Sequence, residues 1–117
     1  MESPERTILF YGHLDKQPPM EGWMEGFGPY EPKIHEGNLY GRGGADDGYA
    51  GFACTIAIKA CQEILKKHSR CVICLETGEE SGSEDFIELL PELKENIPGN
   101  VELVVIADSD CNDFGRI

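Results

Sequence analysis

Three short, β-prone apolar runs, Thr7-Ile8-Leu9-Phe10-Tyr11, Cys71-Val72-Ile73-Cys74-Leu75 and Val101 to Ala107, are separated by helix-forming stretches, and that alternation leaves few folds open. Apolar runs of this length without polar alternation read as strands buried on both faces. Strands alternating with helices predict an α/β sandwich with a largely parallel sheet. Residues 16–32 carry Pro18, Pro19, Gly22, Gly26, Gly28, Pro29 and Pro32, which is loop composition. Lys33-Ile34-His35, a turn at Glu36-Gly37-Asn38, and Leu39-Tyr40 predict a hairpin. From Tyr49 to about Lys67 a helix is expected, packing through Ala53, Ile56, Ala57, Ala60, Ile64 and Leu65, with Lys66, Lys67 and His68 at its C-terminal dipole. Ser83 reads as the N-cap of a helix through Leu90 that buries Phe86, Ile87 and Leu90. Pro98-Gly99-Asn100 reads as the turn into the third strand.

A length of 117 residues suits one domain, and 40% hydrophobic residues supply one modest core. The 22 acidic residues against 10 basic ones give a net charge of -12, which opposes binding to nucleic acid and to anionic membranes. No apolar run is long enough to span a bilayer. Met1-Glu2-Ser3-Pro4-Glu5-Arg6 lacks the basic and apolar regions of a signal peptide, so a cytoplasmic location is expected. The five cysteines are odd in number and cannot all pair within the chain. Cys54 and Cys61, seven apart, would share one helix face. The CxxC of Cys71 and Cys74 lies in a strand and has no second ligand pair, so these read as reduced, packed thiols.

Each apolar run leads into a loop that opens with side chains suited to a divalent cation. His13 and Asp15 follow the first, Glu79 and Glu80 the second, Asp108 and Asp110 the third, and Asp46-Asp47 precede the long helix. Ligands of open α/β sheets bind beyond the carboxyl ends of the strands, where these clusters would converge. Taken singly, an Asp pair before a helix is a cap and a Glu pair in a Gly-rich loop is a solvated turn. Converging carboxylates, however, repel one another unless a cation offsets their charge. One imidazole with several carboxylates suits zinc or manganese better than calcium.

The order of these pieces resembles the carnosinase, carboxypeptidase G and aminoacylase-type zinc metallopeptidases. The resemblance lies in Tyr11-Gly12-His13-Leu14-Asp15, Leu39-Tyr40-Gly41-Arg42-Gly43-Gly44-Ala45-Asp46-Asp47, Glu79-Glu80-Ser81-Gly82-Ser83 and Ala107-Asp108-Ser109. Trp23 and Phe27-Gly28-Pro29 fit the loop between the first two motifs. The resemblance implies the three-layer, phosphorylase/hydrolase-like catalytic domain of the zinc exopeptidases, with two divalent metal ions, zinc foremost and manganese or cobalt as substitutes. It implies that His13 and Asp108 bind one metal, that Glu80 binds the other, and that Asp46 bridges them, with a cis peptide bond after Asp46. It further implies that Asp15 orients the His13 ring and that Glu79 is the general base. Gly48-Tyr49 stands where many relatives have Lys after the Asp pair, which loosens any inference about substrate.

On the same resemblance, residues 1–117 are expected to be the N-terminal part of a catalytic domain. A lid or dimerisation domain and a C-terminal part carrying a His for the second metal would lie elsewhere, and the parent enzyme would dimerise through that lid. His35 and His68 do not read as replacements for the missing His. Three functions compete: hydrolysis of dipeptides or short peptides, amide hydrolysis of N-acyl amino acids, and metal binding without turnover. Peptide hydrolysis leads, with the fragment itself weakly active or inactive.

Overall fold

The computed structural model describes residues 2–108, with side chains from residue 5 onward. Strand β1 (Glu2–His13) lies between β4 (His68–Glu76) and β5 (Asn100–Ile106), and both pairings are parallel. The three apolar runs thus form one parallel sheet, as their composition predicts. Gly12 does not end the first strand, because pairing with β4 continues through His13 opposite Glu76. Low on the strand, Thr7 is fully buried and its hydroxyl donates to the Pro98 carbonyl at 2.6 Å.

Two helices cover opposite faces of this sheet. Gly12 faces α1 (Ala50–Ile64), since a Cβ at that position would lie 2.5 Å from the Ala50 Cβ. Tyr11 points the other way and pairs with Phe86 of α2 (Glu84–Asn96), ring centroids 5.5 Å apart. Successive strand residues alternate between faces, so the layers are helix, sheet, helix.

The apolar face of α1 differs from the one expected. Ala50 and Cys54 are buried and Ile58 and Cys61 half-buried, whereas Ala53, Ile56, Ala57, Ala60, Ile64 and Leu65 are exposed. The helix is apolar around most of its circumference, so two stripes of helical spacing compete, and contact with Gly12 and Leu75 selects the one containing Cys54. Cys54 and Cys61 do share that face. The helix also ends at Ile64, earlier than expected. Lys66 takes a positive φ of 57° and His68 opens β4, so no basic side chain stands in the last turn.

Helix α2 runs past Pro91 to Asn96, and of the three side chains expected to pack only Phe86 is half-buried, with Leu93 in place of Ile87 and Leu90. Ser83 occupies the N-cap position without capping. Its hydroxyl donates instead to Glu76 Oε1 at 3.0 Å. The hairpin forms as β2 (Lys33–His35) and β3 (Asn38–Tyr40) in antiparallel register. Its turn needs only Glu36 and Gly37, both at positive φ as in a type I′ turn, so Asn38 belongs to the strand. Among the described residues no helix is long and apolar enough to cross a membrane.

Because the strands are parallel, their C-terminal ends share one edge of the sheet. Ladder bonds continue just beyond them. Leu14 N donates to the Glu76 carbonyl at 2.8 Å, and Ala107 N to the Tyr11 carbonyl at 3.0 Å. His13, Glu76 and Asp108 are thereby brought to the same edge.

Candidate metal centre

His13, the last residue of the central strand, is fully buried. Its Nδ1 lies 3.1 Å from the main-chain carbonyl of Asp15, and a proton shared there leaves Nε2 with its lone pair outward. Around Nε2 stand Asp46 Oδ1 at 3.1 Å, Asp108 Oδ2 at 3.6 Å and Glu79 Oε2 at 3.8 Å. None of these makes a hydrogen bond to it. A ring nitrogen facing three carboxylates calls for a positive charge between them. The field shows in the imidazole itself: burial pulls its pKa down, but the Asp15 carbonyl and the charges of Asp108, Glu79 and Asp15 hold it above the ordinary histidine value.

The loop before α1 delivers one acid inward and one outward. Gly48 N donates to the Gly43 carbonyl at 2.8 Å, which closes the loop, and the Asp46–Asp47 peptide is cis. Asp47 is fully buried, and its Oδ2 accepts the His13 backbone N–H at 3.0 Å. Burial pushes the Asp47 carboxyl up, with the His13 N–H opposing and the Asp108 charge adding to the rise. Gly12 makes the space: a Cβ there would come within 2.5 Å of Asp47 Oδ2 as well as of Ala50. Asp46, by contrast, keeps about half its side chain exposed.

The turn after β4 is a short 3-10 helix, Glu79–Ser81. Asp15 holds it from across the edge, Oδ1 accepting Glu79 N at 3.2 Å and Oδ2 accepting Glu80 N at 2.9 Å. Those N–H groups keep the Asp15 carboxyl below its usual range, although desolvation pushes the other way. The Asp15 carboxylate thus lies 3.4 Å from the His13 ring while its hydrogen bonds go to the turn. Glu79 itself is pushed up, by desolvation first and then by Glu80, Asp108 and Asp15 against the pull of His13. Beneath the turn, Glu76 is buried and accepts from the hydroxyls of Tyr11 and Ser83, tying β1 and the start of α2 to the end of β4.

Two sets of donor atoms gather within 4.8 Å of one another: His13, Asp47 and Asp108, and His13, Asp46 and Glu80. One imidazole nitrogen cannot serve both at once. The fit to a cation rests on atoms rather than on proximity alone. His13 Nε2, Asp47 Oδ1 and Glu80 Oε1 are buried without a hydrogen-bond partner among the described residues. Each such atom costs about 1–3 kcal/mol if left so, and an ion held by His13, Asp47 and Asp108, or one held by His13, Asp46 and Glu80, would offset part of that cost.

All six site residues expected from the sequence therefore meet at one edge: His13, Asp15, Asp46, Glu79, Glu80 and Asp108. Asp110 lies outside the described residues. His35 is in the exposed hairpin, and His68 is at the opposite end of β4, bonded to the Ser69 carbonyl and Gln62. Sequence reasoning missed the inward turn of Asp47, the Tyr11–Glu76–Ser83 cluster and Gln17, whose amide donates to Glu80 Oε2. Only Asp47 had a signal, its place beside Asp46.

The chain is similar to known proteins over most of its length. The chain is 35% identical to the Beta-Ala-His dipeptidase of Rattus norvegicus over 108 residues, 88% of this chain and 21% of that protein. It is 35% identical to the Cys-Gly metallodipeptidase DUG1 of Candida albicans over 109 residues, 90% of this chain and 22% of that protein. With the succinyl-diaminopimelate desuccinylase of Wolbachia pipientis it shares 29% over 111 residues, 92% of this chain and 27% of that protein. The chain thus spans between about a fifth and a quarter of the length of these relatives. The model of peptidase family M20/M25/M40 matches residues 9–117, nearly the whole sequence, and the chain belongs to that family.

Proposed function

We propose that the protein containing this chain hydrolyses the peptide bond of dipeptides or short peptides with two divalent cations, zinc foremost and manganese or cobalt as substitutes. The observation that carries the reading is the fully buried His13, whose Nε2 faces Asp46, Glu79 and Asp108 without a hydrogen bond. His13 and Asp108 would hold one ion and Glu80 the other, with Asp46 available to both. Bound there, the ions would polarise the scissile carbonyl and lower the pKa of a water.

Glu79 acts as the base. Its carboxylate is about a third exposed, with Oε2 3.8 Å from His13 Nε2, so it faces both the ligand cluster and solvent. It takes a proton from the attacking water and returns it to the leaving amine. A pKa raised above the usual carboxylate value strengthens Glu79 as the acceptor of that proton. Asp15 fixes the base by its main chain and sets the tautomer of His13 through its carbonyl. The second ligand set would be completed by a His from the family's C-terminal part, and dimerisation would involve the lid domain. The names of two relatives, both dipeptidases, support a peptide substrate. The desuccinylase favours a second reading, hydrolysis of an N-acyl amide by the same residues. A cytoplasmic location is supported by Cys54, Cys61 and Cys74, which form no disulfide among the described residues.

Calorimetric titration with zinc tests the centre. Wild-type chain is expected to bind, and His13→Ala and Asp108→Ala to weaken binding by more than the ~10–100-fold typical of losing an outer partner. No binding, or binding unchanged in both variants, would sink the assignment.

A further inference from the structure

Gln17 lies four residues beyond His13, on the segment that leaves β1, and no part of the reaction described above uses it. This segment is well anchored. Leu14 N bonds the Glu76 carbonyl, and Lys16 Nζ donates to the Asp15 carbonyl at 3.0 Å. From it two groups reach Glu80: Asp15 Oδ2 accepts the Glu80 backbone N–H, and the Gln17 amide donates to Glu80 Oε2. One carboxylate oxygen is therefore occupied. The other, Oε1, is buried without a partner among the described residues, and Glu80 belongs with His13 and Asp46 to one of the two donor sets.

We propose that Gln17 is a positioning residue that turns Glu80 so that a single oxygen, Oε1, is presented to a metal ion. The proposal rests on the metal reading above. The chemistry of the donor supports it. A cationic side chain in the same place would hold Glu80 as firmly but would set a positive charge against the incoming ion. An amide directs the carboxylate and adds no charge. The contrast stands in the chain itself: the cation next door, Lys16, bonds a main-chain carbonyl and its stem lies against Gly43, while the neutral Gln17 bonds the ligand.

Cobalt titration followed by visible absorption, together with urea unfolding, separates this role from simple bracing. Glu80→Ala identifies the binding step that depends on Glu80. Gln17→Met, which keeps length but loses the donor, is expected to weaken that step by roughly 10–100-fold and to alter its spectrum, leaving the other step unchanged. Gln17→Lys is expected to keep the urea midpoint, because a salt bridge replaces the hydrogen bond, and yet to lose the step as Gln17→Met does. Cobalt binding by Gln17→Lys equal to wild type would overturn the role, as would a loss in either variant that only follows a lowered midpoint. Wild-type chain that takes up no cobalt, or Glu80→Ala that loses no step, would instead remove the metal reading and this one with it.

Discussion

In the loop before α1, one member of the acid pair turns fully inward and the other stays half-exposed; in the turn after β4, neither acid is fully buried. The first pair is anchored by a side chain, Asp47, which accepts the His13 backbone N–H. The second is anchored by its own main chain, since Asp15 accepts the N–H groups of both Glu79 and Glu80. The consequence for chemistry differs. Using a side chain as the anchor leaves one carboxylate, Asp46, to face His13. Using the backbone leaves two, and a base and a ligand can stand side by side on consecutive residues.

If the two anchors work in this way, substitutions should separate them. The largest effect is expected from Glu79→Gln in the whole protein. Loss of a base typically lowers turnover ~10²–10⁴-fold, and metal content, measured by atomic absorption, should not change because the anchor is the main chain. Retained turnover would exclude Glu79 as the base. Asp15→Asn should come next. An amide offers one acceptor where two N–H groups need one each, so one of them faces an NH₂, at about 1.5–3 kcal/mol in urea unfolding. Asp47→Asn should matter least, under about 1 kcal/mol, because a single carbonyl oxygen still accepts the His13 N–H. Equal destabilisation by the two Asn variants would show that the pairs are anchored alike.

Much of this was legible in the sequence, for a physical reason. Strands buried on both faces are continuous apolar runs, and parallel strands must bring their C-terminal ends to one edge, so the residues that follow them meet wherever the helices lie. His13, Glu79, Glu80 and Asp108 are placed by that rule. What remained hidden depends on choices between equivalent options. Helix α1 offers two apolar stripes, and only contact with the sheet selects Ala50 and Cys54. Asp46 and Asp47 are chemically identical, and their order does not say which turns inward. Ser83 has the identity of a cap, but a buried carboxylate, Glu76, takes its hydroxyl. Gln17 carries no charge and sits in a Pro-rich loop, so nothing in the sequence marks it as a partner of Glu80.

Gly12 constrains any attempt to engineer this chain. By local preference alone, a position within a buried central strand invites a β-branched residue, and replacing glycine there is a common stabilising step. At this position even one added carbon would meet both the first residue of α1 and the inward carboxylate of Asp47. A variant chosen for a stiffer strand would push the helix outward and take the support of His13 with it. Position 12 therefore belongs among those held fixed in any thermostabilised design.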